Sequence, residues 1–250
     1  MEEEIKRPPK ICLSIDDGKE EDFKTLSLLN ELGNLLKTKF ALTIYLTAGH
    51  FDGPEKLKQY YSSYYDSCFT RDVEWRSVRE KILKHYFEFS NVVVEIGCHS
   101  WQHFDLLSVH SLQVMANETE GAAKQLEQWI MDATGDKYKI QTYAPPYGKI
   151  PEHAVNTLCQ MEIFKSIRLY QVQYEWQYKY SCMTYYPKFL TYMKRTCENF
   201  NFKDDVHFAG HSEDLFIYKY DVLKEMFAKF IEANYEFVTA TDYHRKEVPF

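Results

Sequence analysis

The sequence predicts an α/β fold whose parallel strands close, or nearly close, into a barrel. Three observations lead there. Short apolar runs of strand type alternate with longer helix-type runs along the whole chain, the strand candidates number seven, and the chemically distinctive residues fall just after strand ends. Such alternation is the mark of parallel strands joined by right-handed helical crossovers, and barrels of this kind gather their chemistry at the C-terminal ends of the strands.

The expected strands are Lys10–Asp16, Phe40–Thr47, Asn91–Gly97, Lys139–Ala144, Ile163–Leu169, Val206–His211 and Glu236–Ala240. Runs such as Ile11-Cys12-Leu13-Ser14-Ile15 and Val92-Val93-Val94-Glu95-Ile96-Gly97 are short and apolar enough to be buried strands. Helices are expected over Asp22–Lys37, Asp72–Phe89, Leu112–Ala133, Pro151–Met161, Tyr186–Asn199 and Tyr220–Asn234. In Leu112–Ala133, residues Met115, Thr119, Ala122, Leu126, Ile130 and Ala133 recur every three or four positions, the stripe of an outer barrel helix packed on its sheet. Two aromatic stretches, Phe51–Phe69 and Tyr170–Tyr186, read as insertions. Their rings suit either core packing or the lining of a sugar groove, because aromatic faces stack on the apolar faces of sugars.

With 250 residues and 45% hydrophobic content, the chain is long enough to bury one sizeable core, and 1–250 is read as a single domain. No apolar stretch is long enough to span a bilayer. The net charge of −7 argues against a nucleic-acid partner, which calls for a basic face. The start of the chain, from Met1 to Pro9, is acidic then basic and lacks the apolar segment of a secretory signal, so the expected compartment is the cytoplasm. The six cysteines, Cys12, Cys68, Cys98, Cys159, Cys182 and Cys197, show no C-x-x-C spacing and are expected as free thiols.

Four motifs carry chemistry. Ser14-Ile15-Asp16-Asp17-Gly18 places adjacent carboxylates at one strand end, and His99-Ser100-Trp101-Gln102-His103 places two imidazoles at another. Alone, the first reads as a turn and the second as two solvated histidines. Together, two His nitrogens and an Asp oxygen form a set that suits zinc and leaves a coordination position open, as catalytic sites do. Tyr143-Ala144-Pro145-Pro146-Tyr147-Gly148 and His207-Phe208-Ala209-Gly210-His211-Ser212 follow at later strand ends.

In this order, the four motifs resemble those of the polysaccharide deacetylase family, also called the NodB-homology or carbohydrate esterase family four domain, from Ile11 to about Thr241. The resemblance implies a distorted (β/α)7 barrel related to the TIM barrel. It implies a metal-dependent hydrolase that removes acetyl groups from an N-acetylated sugar or glycan, so the expected partner is a small-molecule or oligosaccharide substrate. Asp17, His99 and His103 would hold a divalent ion, zinc in the first instance, with Co²⁺ or Ni²⁺ also compatible. Asp16 would be the general base, His211 the general acid, and the Tyr147 N–H an oxyanion donor. Trp101, Pro146 and Tyr147 would touch the substrate.

The chain departs from the family pattern in two places. Ala144 stands where better-known members carry the arginine that orients the base carboxylate, so that partner is expected to be missing, although some members of the wider family share an aromatic-Ala-x-Pro-Tyr-Gly loop. In the late motif, His207 competes with His211 for the acid role, and Asp214 is the expected partner of the His211 ring. His50, His85, His110 and His153 are read as ordinary surface or core histidines. Two other readings use the same residues: a hydrolase of small non-sugar amides, and a non-catalytic glycan-binding relative that has lost the arginine.

Overall fold

A computed structural model describes residues 7–68, 74–160, 163–169, 183–185, 188–198 and 204–243. Among them, nine strands form one sheet: β1 (Lys10–Asp17), β2 (Phe40–Leu46), β3 (Val92–Cys98), β4 (Thr142–Tyr143), β5 (Ser166–Leu169), β6 (Met183–Tyr185), β7 (Lys188–Phe189), β8 (Val206–Gly210) and β9 (Glu236–Val238). The spatial order is β6-β5-β4-β3-β2-β1-β8-β7, with β9 added along the start of β1, and every pairing is parallel. Helices lie between the strands. This is the distorted (β/α)7 barrel that the motifs implied.

The strand registers explain how the barrel is filled. Asp16, Tyr45 and Gly97 are cross-strand partners and form one interior level; two residues earlier, Ser14, Thr43 and Glu95 form the level beneath. Gly97 has to be glycine, because a Cβ there would sit 2.6 Å from the Tyr45 ring. The lower level is closed by the short helix Ala240–Tyr243. The Ala240 N–H donates to Thr43 Oγ1 at 2.8 Å, and the Thr241 N–H donates to Glu95 Oε2 at 3.2 Å. The alternate residues Ile11, Leu13 and Ile15 face the other way and join the large apolar core shared with the helices.

Several expected elements take a different form. The fourth strand is shorter than Lys139–Ala144, because the Ile140 N–H is engaged by Glu127 Oε1 at 2.9 Å and does not enter the ladder. Of the stripe on Leu112–Ala133, Met115, Thr119, Ala122, Leu126 and Ile130 are buried and Ala133 is half-buried, yet the helix changes winding: α over Leu112–Ala116, π over Asn117–Gly121, and α again over Ala122–Thr134. The expected helix Tyr186–Asn199 is corrected. Lys188–Phe189 pairs with β8, and the helix is confined to Met193–Glu198. The aromatic stretch after Phe51 folds as helices Pro54–Tyr60 and Ser62–Cys68, with Leu57, Tyr61 and Tyr65 buried, so it is chiefly core. Of Tyr170–Tyr186, all but Met183–Tyr185 lies outside the described residues.

Cys12, Cys98 and Cys197 are free and buried. Among the described residues, no helix is long and apolar enough to cross a membrane.

Candidate metal centre and active site

β1 ends on two carboxylates that part company. Alternation along an extended strand would send Asp17 toward the outer core with its register partners Leu46 and Cys98. Instead its backbone turns to φ +82° and brings the side chain to the mouth of the barrel. Asp17 Oδ1 lies 3.3 Å from His103 Nε2 and 3.6 Å from His99 Nε2. The three side chains form a cluster whose ligand atoms all lie within 4.8 Å of one another.

The chemistry of this cluster calls for a cation. His99 Nδ1 sits 2.6 Å from the Ala144 carbonyl oxygen, which can only accept, so Nδ1 carries the proton and Nε2 presents a lone pair. Burial pushes the His99 pKa down to about 4, which keeps the ring neutral. A bare imidazole nitrogen therefore faces a carboxylate oxygen, two electron-rich atoms that a divalent ion would reconcile. Burial alone would raise the Asp17 carboxyl, but His103 and Lys19 outweigh it and hold the group well below the usual carboxylate range. The residues fit a divalent ion with two nitrogen ligands and one oxygen ligand.

The loop that carries both histidines is held in an unusual shape. Ser100 and His103 have φ of +70° and +60°. The His103 N–H donates to Ser100 Oγ at 2.9 Å, and the N–H groups of Trp101 and Gln102 both donate to Glu118 Oε2, at 3.0 and 2.8 Å. Glu118 lies in the π turn, so the change in helix winding places a carboxylate beneath the metal-site loop.

Asp16 points into the barrel, where the structure corrects the expectation of a missing partner. Arg168, on β5, donates from Nη2 to Asp16 Oδ2 at 2.5 Å and from Nη1 to Ser14 Oγ at 3.1 Å. Both side chains of this ion pair are 1% exposed. The guanidinium also lies 4.5 Å from the centre of the Tyr45 ring. A neighbouring strand thus supplies the positive charge that Ala144 does not. His207 is drawn into the same interior network, its Nε2 in hydrogen-bond contact with Ser14 Oγ at 3.0 Å. It lies behind Asp16, away from the mouth.

His211 occupies the mouth, with Nε2 3.7 Å from Asp17 Oδ2 and the side chain 49% exposed. Asp214 does not hold its ring as expected: Nδ1 is 3.8 Å from Asp214 Oδ2, and that oxygen instead accepts the His211 backbone N–H at 2.8 Å. The loop is fastened from below through Ser212, which donates to Asp22 Oδ1 at 2.7 Å. Asp22 also accepts from Tyr86 OH at 3.1 Å and from the Lys19 N–H at 3.1 Å, so one buried carboxyl ties the loop after β1 to the loop after β8. Burial pushes its pKa up to about 7.

Tyr147 is exposed, in a left-handed conformation at φ +59°, with its ring edge-on to His103 at 5.1 Å. Pro146 beside it is buried and Trp101 half-buried. All eight residues singled out for the site lie around one mouth or directly beneath it. Arg168, Glu118, Asp22 and His50 were not singled out; His50 is buried beside Asp17, with Nδ1 donating to the Gly18 carbonyl at 3.1 Å.

Comparison with known proteins agrees with this picture. No curated protein sequence matches the chain. Among solved structures, the chain is similar to a mutant of BA3943, a CE4 family pseudoenzyme, with restored enzymatic activity (13% identity, TM-score 0.56, 95% of this chain and 68% of that one). The wild-type BA3943 is from Bacillus anthracis. The chain is also similar to the peptidoglycan deacetylase PdaC from Bacillus subtilis (18% identity, TM-score 0.51, 95% and 90%) and to the Bc1960 peptidoglycan N-acetylglucosamine deacetylase (14%, 0.54, 94% and 87%). At these identities the likeness establishes the fold. The sequence model of polysaccharide deacetylases, however, matches residues 4–163, which include the paired carboxylates, both cluster histidines and the proline loop. With that match over more than half of its length, the chain belongs to the polysaccharide deacetylase family.

Proposed function

We propose that the protein, as one catalytic domain over 1–250, is a divalent-metal-dependent hydrolase that releases acetate from an N-acetylated sugar or glycan. The observation that carries this reading is the division of labour at the end of β1. Asp17 faces two imidazoles, while its neighbour Asp16 is held apart by a buried guanidinium.

Asp17, His99 and His103 would hold the ion, which when bound supplies Lewis acidity and makes water a better nucleophile at neutral pH. Asp16 takes the proton of the attacking water as its oxygen joins the acetyl carbon, and Arg168 holds this base in one orientation. The Tyr147 N–H donates to the oxygen that becomes negatively charged. His211 delivers a proton to the sugar nitrogen as the C–N bond breaks, giving acetate and a free amine. Trp101, Pro146 and Tyr147 line the approach. Arg168 weighs against the non-catalytic reading, which rested on a lost arginine.

The test is acetate release from N-acetylated sugars by zinc-loaded protein, beside Asp16→Asn. The variant should retain the metal and lose roughly 10²–10⁴-fold in turnover. Equal rates for the variant and the parent protein would end the assignment.

A further inference from the structure

Next to the metal cluster lies a pocket of about 320 Å³, walled on one side by Asp17 and His103 and on the others by Lys19, His50, Lys56, Tyr60, Trp101 and Gln102. Its size is at the small end of the roughly 300–1,000 Å³ typical of ligand sites, room for one compact sugar unit. Three properties of the lining define what that unit is.

The first is charge. The whole chain carries −7, yet the pocket holds two ammonium groups against one carboxylate. That carboxylate, Asp17, belongs to the metal cluster, so in the metal-bearing protein its charge is already answered. Lys19 lies 2.6 Å from Asp17 and also feels Glu213 and Asp22. Lys56 makes no ion pair among the described residues, and it projects from the exposed face of helix Pro54–Tyr60 onto the pocket. The second is shape: the Tyr60 ring stacks on His50 at 3.5 Å and 19°, and Trp101, from the loop that carries both cluster histidines, adds a second aromatic surface to the lining. The third is hydrogen bonding. With Nδ1 donating to Gly18, a neutral His50 keeps Nε2 as an acceptor for a hydroxyl.

We propose that this pocket is an anion-recognising subsite, and that the substrate carries a phosphate or carboxylate on or next to the acetylated sugar, with Lys56 as the residue that selects for it. The inference rests on the deacetylase reading for the identity of the sugar, but not for the charge preference.

The experiment measures binding calorimetrically on zinc-loaded full-length protein with N-acetylglucosamine, N-acetylglucosamine 1-phosphate and N-acetylmuramic acid. Inorganic phosphate serves as the control for direct ligation of the metal. At least one anionic sugar should bind roughly tenfold or more tightly than the neutral one, as a charge-assisted contact does. Whichever anionic sugar binds more tightly distinguishes phosphate from carboxylate. Lys56→Glu should abolish the preference by weakening the anionic sugars far more than N-acetylglucosamine, and Lys56→Gln should reduce it. A preference that survives Lys56→Glu would place the anion elsewhere, on Lys19 or on the metal, and overturn the proposal. So would equal or absent binding of all three sugars, or equal weakening of neutral and charged sugars in the variant. Acetate is assayed in parallel: a Lys56-dependent preference without acetate release would sink the deacetylase reading and leave the subsite standing.

Discussion

The strands β1 to β3 and the strands β5 to β8 serve the same mouth in different ways. β2 and β3 stay in continuous register from Phe40 and Val92 to Leu46 and Cys98, and the metal cluster grows directly from the ends of β1 and β3. The other side of the barrel contributes no residue to that cluster. It supplies the groups that condition it: Arg168 beneath Asp16, and His211 above Asp17. One half offers a candidate site for an ion, and the other places a guanidinium against Asp16 and an imidazole at the mouth. The two can be separated by experiment.

The largest effect should come from the first half. His99→Ala or His103→Ala removes one of three ligands, and purified protein should fall from about one bound divalent ion per chain to nearly none by elemental analysis. Retention of full metal by either variant would show the cluster to be misplaced.

In the second half, Arg168→Met strands a buried carboxylate and should cost about 3–5 kcal/mol in chemical denaturation, with metal content intact in the folded fraction. Arg168→Lys should not restore wild-type activity, because a single ammonium cannot serve Asp16 and Ser14 with the geometry of a planar fork. If Arg168→Met were as stable and as active as the parent, the relocated guanidinium would have no part in the site. His211→Ala should slow acetamides more than activated aryl acetates, whose leaving groups depart with little help from an acid. Equal slowing of both would remove His211 from the acid role.

The smallest effect tests the joint between the halves. The Asp22 pKa is raised to about 7, so between pH 4 and 7 the folded protein keeps a proton that the unfolded chain has released. This contribution lowers stability as pH rises through that window. His50 and His99, both pushed down to about 4 by burial, act oppositely: their contribution is lost as pH falls from the ordinary histidine range toward 4. The net curve is therefore less informative than a difference. In chelator-treated protein, the Tm of Asp22→Asn minus that of the parent should increase from pH 4 to 7. A flat difference would mean that Asp22 ionises normally.

The same division governed what could be read from the sequence. Asp17, His99 and His103 were legible because each lies in a short motif at the end of a strongly apolar strand, where ligand type and spacing are local. Arg168 was not. The run Ser166-Ile167-Arg168-Leu169 does hold a charged residue inside an otherwise strand-like segment, which is rare in a buried strand unless a partner waits for it. That partner is 152 positions away, and only closure of the sheet reveals it. The fold class and most strand positions followed from periodicity. β6 and β7 did not, being too short to show one. Asp214 was assigned to the His211 ring because spacing cannot tell a side-chain contact from a backbone one. The aromatic stretch after Phe51 was ambiguous for a similar reason: burial of Tyr61 and Tyr65 beside a half-exposed Tyr60 depends on how two short helices rest on the barrel.

Ala144 holds a methyl group where an arginine is expected, yet its carbonyl oxygen fixes the tautomer of His99. Main chain and side chain at this position answer to different demands, and only the first is independent of residue identity. Once β5 supplies a guanidinium to Asp16, position 144 is free to drift among small residues without disturbing the imidazole, provided the proline turn keeps the carbonyl in place. A lineage can therefore lose the most recognisable letter of its signature while conserving the hydrogen bond that matters at that point. Searches that demand the letter will pass over such chains, whereas searches for a charged residue that can reach the same carboxylate from another strand will find them.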